Sequence, residues 1–383
     1  MMALPCEVPG KGGFVMTAGA RLTIDLAALA ANYRLIQGRV SPSIVGGVVK
    51  ADGYGLGAVQ VARTLIREGC RHLFVALQSE AEALIAHVDN VPVYILNGLL
   101  PGGEAACAAL GAIPVLNSLD QIKRWTAQAA VLDRQLPAVL QVDTGMSRMG
   151  LPSDELASLL AEPAMLGRLD LRFLISHLAC GDEPADPANA AQEAAFRRIA
   201  ARFPGMALAL DNSGGAFQAR SRFDLVRAGI ALYGGAPGTG PNPMQAVVSL
   251  EARIAQLRTI PAGAGVGYGL TFQTARETRI ATIPVGYADG WPRCLGNKGA
   301  AYIAGMRVPV AGRVSMDSIT LDVTDIPDEH LYPGALVELL GPHQGIDKVA
   351  ADAGTISYEI LTQLSRRYER VYLPVAAQRS EAA

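Results

Sequence analysis

Between residue 20 and about residue 240, short apolar runs rich in Val, Ile and Leu recur at an even pace, each followed by apolar residues at helical spacing. There are eight: 43–51 SIVGGVVKA, 72–78 HLFVALQ, 91–98 VPVYILNG, 113–118 IPVLNS, 138–145 AVLQVDTG, 171–179 LRFLISHLA, 207–212 ALALDN and 224–234 DLVRAGIALYG. Such alternation builds parallel strands joined by crossover helices, and eight strands close a sheet on itself. The spacing predicts a (β/α)8 barrel of the TIM type over residues 19–243, in preference to an open sheet. The helical signal is explicit as well: Leu26, Leu29, Ala30 and Tyr33 share a face behind Asp25, a residue type that caps helix starts, and Ala62, Leu65 and Ile66 repeat the pattern.

After 234–244 GGAPGTGPNPM the rhythm changes to strands without long helices: VVSLEARIAQLRTI, RIATIPVGYA, RVPVAG, SITLDVTD and ALVELLG. Residues 244–375 therefore read as a mainly β C-terminal domain, with short helical patterns at 346–354 and 357–365 and a last strand around YERVYLPV. The leader 1–18 and the tail 376–383 are expected, from composition, to be poorly ordered.

With 33 basic against 35 acidic residues the chain carries no electrostatic footprint for nucleic acid or an anionic membrane, so a small molecule is the expected partner. Five scattered cysteines without a CxxC pair argue against a disulfide framework and against structural zinc, so no metal is expected. Neither a signal-peptide core nor an apolar run of the roughly 18 residues needed for a membrane span is present, and the expected location is the cytoplasm.

Barrels of this type place their chemistry at the C-terminal strand ends, with a phosphate site commonly built by the loops after strands seven and eight. Lys50 ends strand one, Arg148 follows strand five, His177 ends strand six, Asn212 and Ser213 end strand seven, and Arg227, Gly229 and Ile230 lie in or just beyond strand eight. Lys50 sits among Val48, Val49 and Ala51, a setting that withdraws its amine from water, lowers its pKa and suits a nucleophile able to form a Schiff base. Arg227 is expected beside it, because strands one and eight seal the barrel, and two buried cations need a neutralising ligand between them. A rival reading takes Gly53, Gly55 and Ala58 as a dinucleotide fingerprint. It fails on context: the acidic residue it needs after the second strand could only be Glu80, which starts a helix.

Taken in order, VVKADGYGLG, VDTGMSRMG, SHLACGDE, DNSGG, DLVRAGIALYG, VGYGLTF, TIPVGYADGWPR, AGRVSMDSITLDVT and TISYEILTQLSRR resemble the successive signature blocks of alanine racemase, a family that uses pyridoxal 5'-phosphate, across nearly the whole chain. The resemblance implies that Lys50 holds the cofactor as a Schiff base. Tyr54, Ser213, Gly229, Ile230 and Tyr358 would cradle its phosphate, Arg227 would face its ring nitrogen and His177 would brace Arg227. A guanidinium stays protonated and so keeps that nitrogen neutral, which weakens the electron sink and disfavours transamination. Racemisation needs acid/base groups on both faces of the α-carbon. The resemblance assigns them to Lys50, for the hydrogen of D-alanine, and to Tyr268 from a partner subunit, for that of L-alanine, in a head-to-tail homodimer with shared sites. Arg148 and the backbone at Met316 would hold the substrate carboxylate, Tyr287 and Tyr358 would narrow the entrance, and Arg293 and Asp317 would stand behind them.

Gln141 occupies a position where many members of that family carry a carbamylated lysine beside the arginine corresponding to Arg148. An amide cannot be carbamylated, so a chloride ion is expected near Arg148 and Gln141. A broad-specificity amino-acid racemase and a non-catalytic carrier of the same cofactor are the alternatives, the carrier being disfavoured by the β domain.

Overall fold

All eight apolar runs become parallel strands in the computed structural model, which describes residues 18–219 and 222–375. The expected disorder of leader and tail concerns residues that, apart from Ala18, lie outside the described ones. A further strand, β1 (Ala20–Asp25), precedes the barrel, which consists of β2 (Ile44–Val48), β3 (Leu73–Val75), β4 (Val93–Ile95), β5 (Ile113–Leu116), β6 (Leu136–Gln141), β7 (Leu169–Ile175), β8 (Leu208–Ala209) and β9 (Leu225–Ala228). Around the sheet the order is β8-β7-β6-β5-β4-β3-β2-β9, parallel throughout. The Arg227 N–H, donating to the Asp211 carbonyl at 2.9 Å, draws the two ends of the sheet together into a nearly closed barrel.

β3, β4 and β5 are buried along their whole length, as parallel strands covered on both faces must be. Asp25 does cap the helix Leu26–Val40, its carboxylate accepting from the N–H groups of Ala27 and Ala28 at 2.8 and 2.9 Å.

The eighth strand is shorter than the apolar run suggests. Pairing stops at Ala228, and the chain bends at Gly229 into a 3-10 turn, Ile230–Tyr233. Here the Ser213 hydroxyl accepts the N–H groups of Gly229 (2.8 Å) and Ala231 (3.4 Å), donors that a continued strand would give to a neighbour.

β1 belongs to the sheet of the second domain, pairing antiparallel with β10 (Val248–Arg253) and parallel with the last strand. Its alternating burial, Ala20, Leu22 and Ile24 inward, is the period-two signal of a sheet with one covered face. β11 (Gln256–Ile260), β12 (Gly265–Val266), β13 (Phe272–Gln273), β14 (Thr278–Ile283), β15 (Ala300–Ile303), β16 (Met306–Pro309), β17 (Ile319–Asp322), β18 (Leu336–Leu340) and β19 (Glu369–Leu373) complete that domain. They form a six-stranded sheet β16-β15-β18-β10-β1-β19, a three-stranded sheet β11-β14-β17 and the hairpin β12-β13. Among the described residues no helix is long and apolar enough to cross a membrane.

Candidate active site

Lys50 stands two residues beyond β2 and opens a turn of uncommon hand. Ala51, Asp52, Gly53 and Tyr54 have φ of +53°, +54°, +63° and +54°, a complete left-handed turn in which only Gly53 escapes the Cβ penalty. Each of the other three costs about 1–2 kcal/mol, so surrounding contacts must hold the turn. The Gly53 N–H donates back to Val49 O at 2.9 Å, Gly55 N–H to Ala51 O at 2.7 Å, and Asp52 Oδ1 accepts from Ala58 N at 2.9 Å. Gly55 is required by a close approach: a Cβ there would lie 2.4 Å from the Leu361 carbonyl oxygen in the helix Ser357–Gln363.

The turn delivers two side chains to the rim. Burial lowers the pKa of the Lys50 amine, the positive charge of Arg148 lowers it further, and Glu80 acts in the opposite sense. Tyr54, 5% exposed, stacks on Tyr233 with centroids 4.4 Å apart, and Tyr233 donates its hydroxyl to Val48 O at 2.8 Å. On its other side Tyr54 meets Tyr358 at 5.9 Å. Burial holds the phenol of Tyr54 well above its ordinary range and pushes that of Tyr358 up to about 12, so both remain hydrogen-bond donors.

Arg227 is wholly enclosed. Its guanidinium donates to Ser176 O (2.5 Å), Ala209 O (3.2 Å) and Leu210 O (3.4 Å), and lies 3.1 Å from His177 Nδ1. Desolvation brings its pKa down to about 10, which still leaves it charged at neutral pH. Burial, then the charges of Arg227, Arg148 and Lys50, keep His177 far below its usual pKa, so it is neutral and its Nδ1 accepts from the guanidinium. Directly past β9, the phosphate-type cradle expected from sequence has a definite geometry. A Cβ added at Gly229 would come within 2.4 Å of Tyr54 Oη and 3.9 Å of Ser213 Oγ, so only a bare backbone lets those two hydroxyls converge. Ser213 accepts two N–H groups and keeps its own hydrogen to donate outward. Hydroxyl donors gathered at the start of a 3-10 turn, with a lysine nearby, suit a phosphate monoester bearing an aldehyde, as in pyridoxal phosphate.

Arg148 lies in the loop after β6, which Asp143 shapes by accepting the N–H groups of Gly145, Met146 and Ser147 at 2.9, 3.0 and 3.1 Å. Gln141 ends β6, its carbonyl accepting Leu151 N–H at 2.9 Å.

A second group of the expected residues gathers in the β domain. Tyr268 begins a 3-10 turn, Tyr268–Leu270, and is 72% exposed. With Arg258, Thr282, Ser315, Ser318 and Thr320 it lines a cavity of about 460 Å³ to which the barrel rim contributes nothing. Tyr287 N–H donates to Ser315 O and Ala288 N–H to Met316 O, both at 3.0 Å, so Tyr287 and Met316 sit on stapled turns. Asp317 bonds Arg367 Nη1 at 2.8 Å, and Arg367 also reaches the buried Asp289 at 3.2 Å. Arg293 is exposed at the start of a neighbouring 3-10 turn. Lys50, Tyr54, Arg148, His177, Ser213, Arg227, Gly229, Ile230 and Tyr358 thus gather at one place, and Tyr268, Tyr287, Met316 and Asp317 at another.

Tyr233, Asp143 and Arg367 escape a reading of the sequence, and Glu80 enters it only through the rejected dinucleotide fingerprint. Only Asp143 carries a local signal, the Asp-Thr-Gly turn; the other three act through partners distant in the chain.

Barrel, appended β domain and polar rim at the strand ends define a class of two-domain barrel proteins. Residues 24–237 match the family description "Alanine racemase, N-terminal domain" and 247–372 match "Alanine racemase, C-terminal domain". The chain is 53% identical over 356 residues to the catabolic alanine racemase of Rhizobium johnstonii, covering 92% of this chain and 94% of that one. It is 51% identical over 376 residues to the alanine racemase of Brucella canis, covering 94% and 95%. The crystal structure of the Bartonella henselae alanine racemase, with covalently bound pyridoxal phosphate, superposes with a TM-score of 0.89 at 45% identity over 92% of this chain and 99% of that one. The chain belongs to the alanine racemase family, a family of isomerases.

Proposed function

We propose that this protein interconverts L- and D-alanine with pyridoxal 5'-phosphate held by Lys50, in a homodimer whose two active sites are each built from both subunits. The observation that carries the reading is the immobilised guanidinium of Arg227, set at the same rim as an amine of lowered pKa and a cradle open only because residue 229 lacks a side chain. The cofactor, when bound, supplies the electron withdrawal that makes the α-hydrogen of an amino acid acidic.

Tyr54, Ser213, Gly229, Ile230 and Tyr358 would hold the cofactor's phosphate. Arg227 would face its ring nitrogen and keep it neutral, which would favour prompt return of the proton to the α-carbon, while His177 fixes the guanidinium plane. Arg148 and the Met316 N–H orient the substrate carboxylate, and Tyr287 and Tyr358, with Arg293 and Asp317 behind them, restrict the entrance to small side chains. Lys50 takes or gives the proton on one face of the α-carbon, Tyr268 of the partner subunit on the other. The separation of Tyr268 from the rim within one chain, with Leu270, Tyr287 and Met316 of the β domain also exposed, supports completion by a second copy. A chloride ion beside Arg148 and Gln141 takes the place of the negative charge that a carbamylated lysine would carry at position 141; bromide-soaked crystals test it by anomalous scattering.

Incubation of the protein and cofactor with L-alanine in heavy water tests the whole reading. α-Deuterated D-alanine is expected by NMR and chiral separation, and absence of both exchange and inversion would refute it. Gly229→Ala is expected to force Tyr54 Oη out of the cradle and weaken cofactor binding about 10- to 100-fold, the equivalent of one charge-assisted hydrogen bond. Spectral titration of the cofactor-free protein with pyridoxal phosphate measures this directly.

A further inference from the structure

Glu80 is left over from the rejected dinucleotide reading, and the structure gives it another task. It lies at the third position of the helix Gln78–Ile85, just after β3, and β3 pairs with β2, the strand that leads to Lys50. Glu80 Oε1 accepts the Ala51 N–H at 2.6 Å, and Oε2 accepts the N–H groups of Ala76 at 2.7 Å and Leu77 at 3.1 Å. The bond at Ala51 is made to the peptide unit that directly follows Lys50, at the first residue of the left-handed turn. It ties that peptide plane to the end of a neighbouring barrel strand.

We propose that Glu80 is the positioning residue for Lys50: its carboxylate locks the peptide after Lys50 into the left-handed turn and so aims both the Lys50 amine and Tyr54. A turn of this hand does not hold itself together in L-residues. An ionised carboxylate is acceptor-only and satisfies all three donors, whereas an amide would turn its NH2 group on one of them. Of the charges that act on the Lys50 amine, Arg148 in the loop after β6 disfavours its charged form and Glu80 after β3 favours it, so Glu80 is the anion of that pair. The inference rests on the proposed function for its kinetic consequence, and on the hydrogen-bond geometry alone for its structural one.

The test compares wild-type and Glu80→Gln holoenzyme by amide hydrogen exchange across residues 50–57, by cofactor absorbance and by the pH profile of alanine racemisation. In the variant the Ala51 amide is expected to exchange about tenfold faster or more. Turnover is expected to fall on the order of tenfold to a hundredfold, as for a reacting group misplaced by a fraction of an ångström. The acid limb of kcat is expected to move to lower pH, because kcat reports the substrate complex, in which the Lys50 amine is free, and the anion that stabilises its charged form is gone. Unchanged exchange at Ala51 together with an unmoved acid limb overturns the proposal, and lower turnover on an unmoved limb assigns Glu80 a merely structural part. If Glu80→Gln does not fold, wild-type protein decides: an Ala51 amide exchanging as fast as an unstructured peptide overturns the proposal. Ala51→Gly, which removes the Cβ from the left-handed position, is expected to restore part of the loss in the double variant. Should wild-type holoenzyme not act on alanine, the functional reading falls while the exchange comparison still tests Glu80.

Discussion

Replacing Lys50 by alanine is expected to abolish alanine racemisation, lowering turnover on the order of 10⁴-fold or more while the protein stays folded. Two losses combine. The covalent tether disappears, so the cofactor is held only by the cradle of Tyr54, Ser213 and the Gly229 backbone and leaves on dialysis. The group that moves the proton on one face of the α-carbon disappears as well. Lys50→Arg separates charge from chemistry: it keeps a cation at the rim, yet a guanidinium is neither a nucleophile nor a base at neutral pH, and the same loss is expected. Circular dichroism and cofactor release on gel filtration accompany the rate measurement. A Lys50→Ala protein that still racemises alanine would sink the proposed function.

The lowered pKa of Lys50 gives the wild-type enzyme a pH signature. Burial and Arg148 both disfavour the charged amine, so the neutral form gains population once the pH passes the lowered value, below the roughly 10.4 of a free lysine. Activity that depends on the free amine therefore rises with pH through a region below the ordinary lysine range.

The barrel was legible because its signal is local and repeated. Eight apolar runs at an even pace need no tertiary information to be counted, and the polar rim follows from where each run ends. The short eighth strand was not legible: 224–234 is apolar throughout, and what ends it is the hydroxyl of Ser213, distant in the chain. β1 was hidden for a similar reason. ARLTID alternates as a half-exposed strand should, but only its pairing with Val248–Arg253 and Glu369–Leu373 assigns it to the far domain. At the site, Lys50 and Arg227 stand out because cations in apolar runs are costly. Glu80 and Arg367 are ordinary charged residues in sequence, and their bonds to Ala51, Asp289 and Asp317 appear only when the chain is folded.

Tyr268→Phe is expected to be nearly as damaging as loss of Lys50, but to leave half of the chemistry intact. Removing the phenolic hydroxyl disables one face of the α-carbon, and because two mirror-image alanines are equal in energy, kcat/KM must fall equally in both directions. Hydrogen exchange is not bound by that symmetry. The variant should still exchange the α-hydrogen of D-alanine in heavy water through Lys50, without forming L-alanine, whereas L-alanine should scarcely exchange. Mixing unfolded Lys50→Ala and Tyr268→Phe chains and refolding them together distinguishes a shared site from a self-contained one. Random pairing makes about half of the dimers mixed. In each mixed dimer the subunit that keeps Lys50 faces the intact Tyr268 of the partner subunit, while the other site lacks both groups. Activity should therefore return to about a quarter of the wild-type value. A site built within one chain gains nothing from mixing, so an inactive mixture of properly refolded dimers would show that Tyr268 serves its own rim. Recovery to a quarter would mean that the exposed tyrosine of the β domain completes the neighbouring barrel, which accounts for a side chain 72% exposed in the single chain.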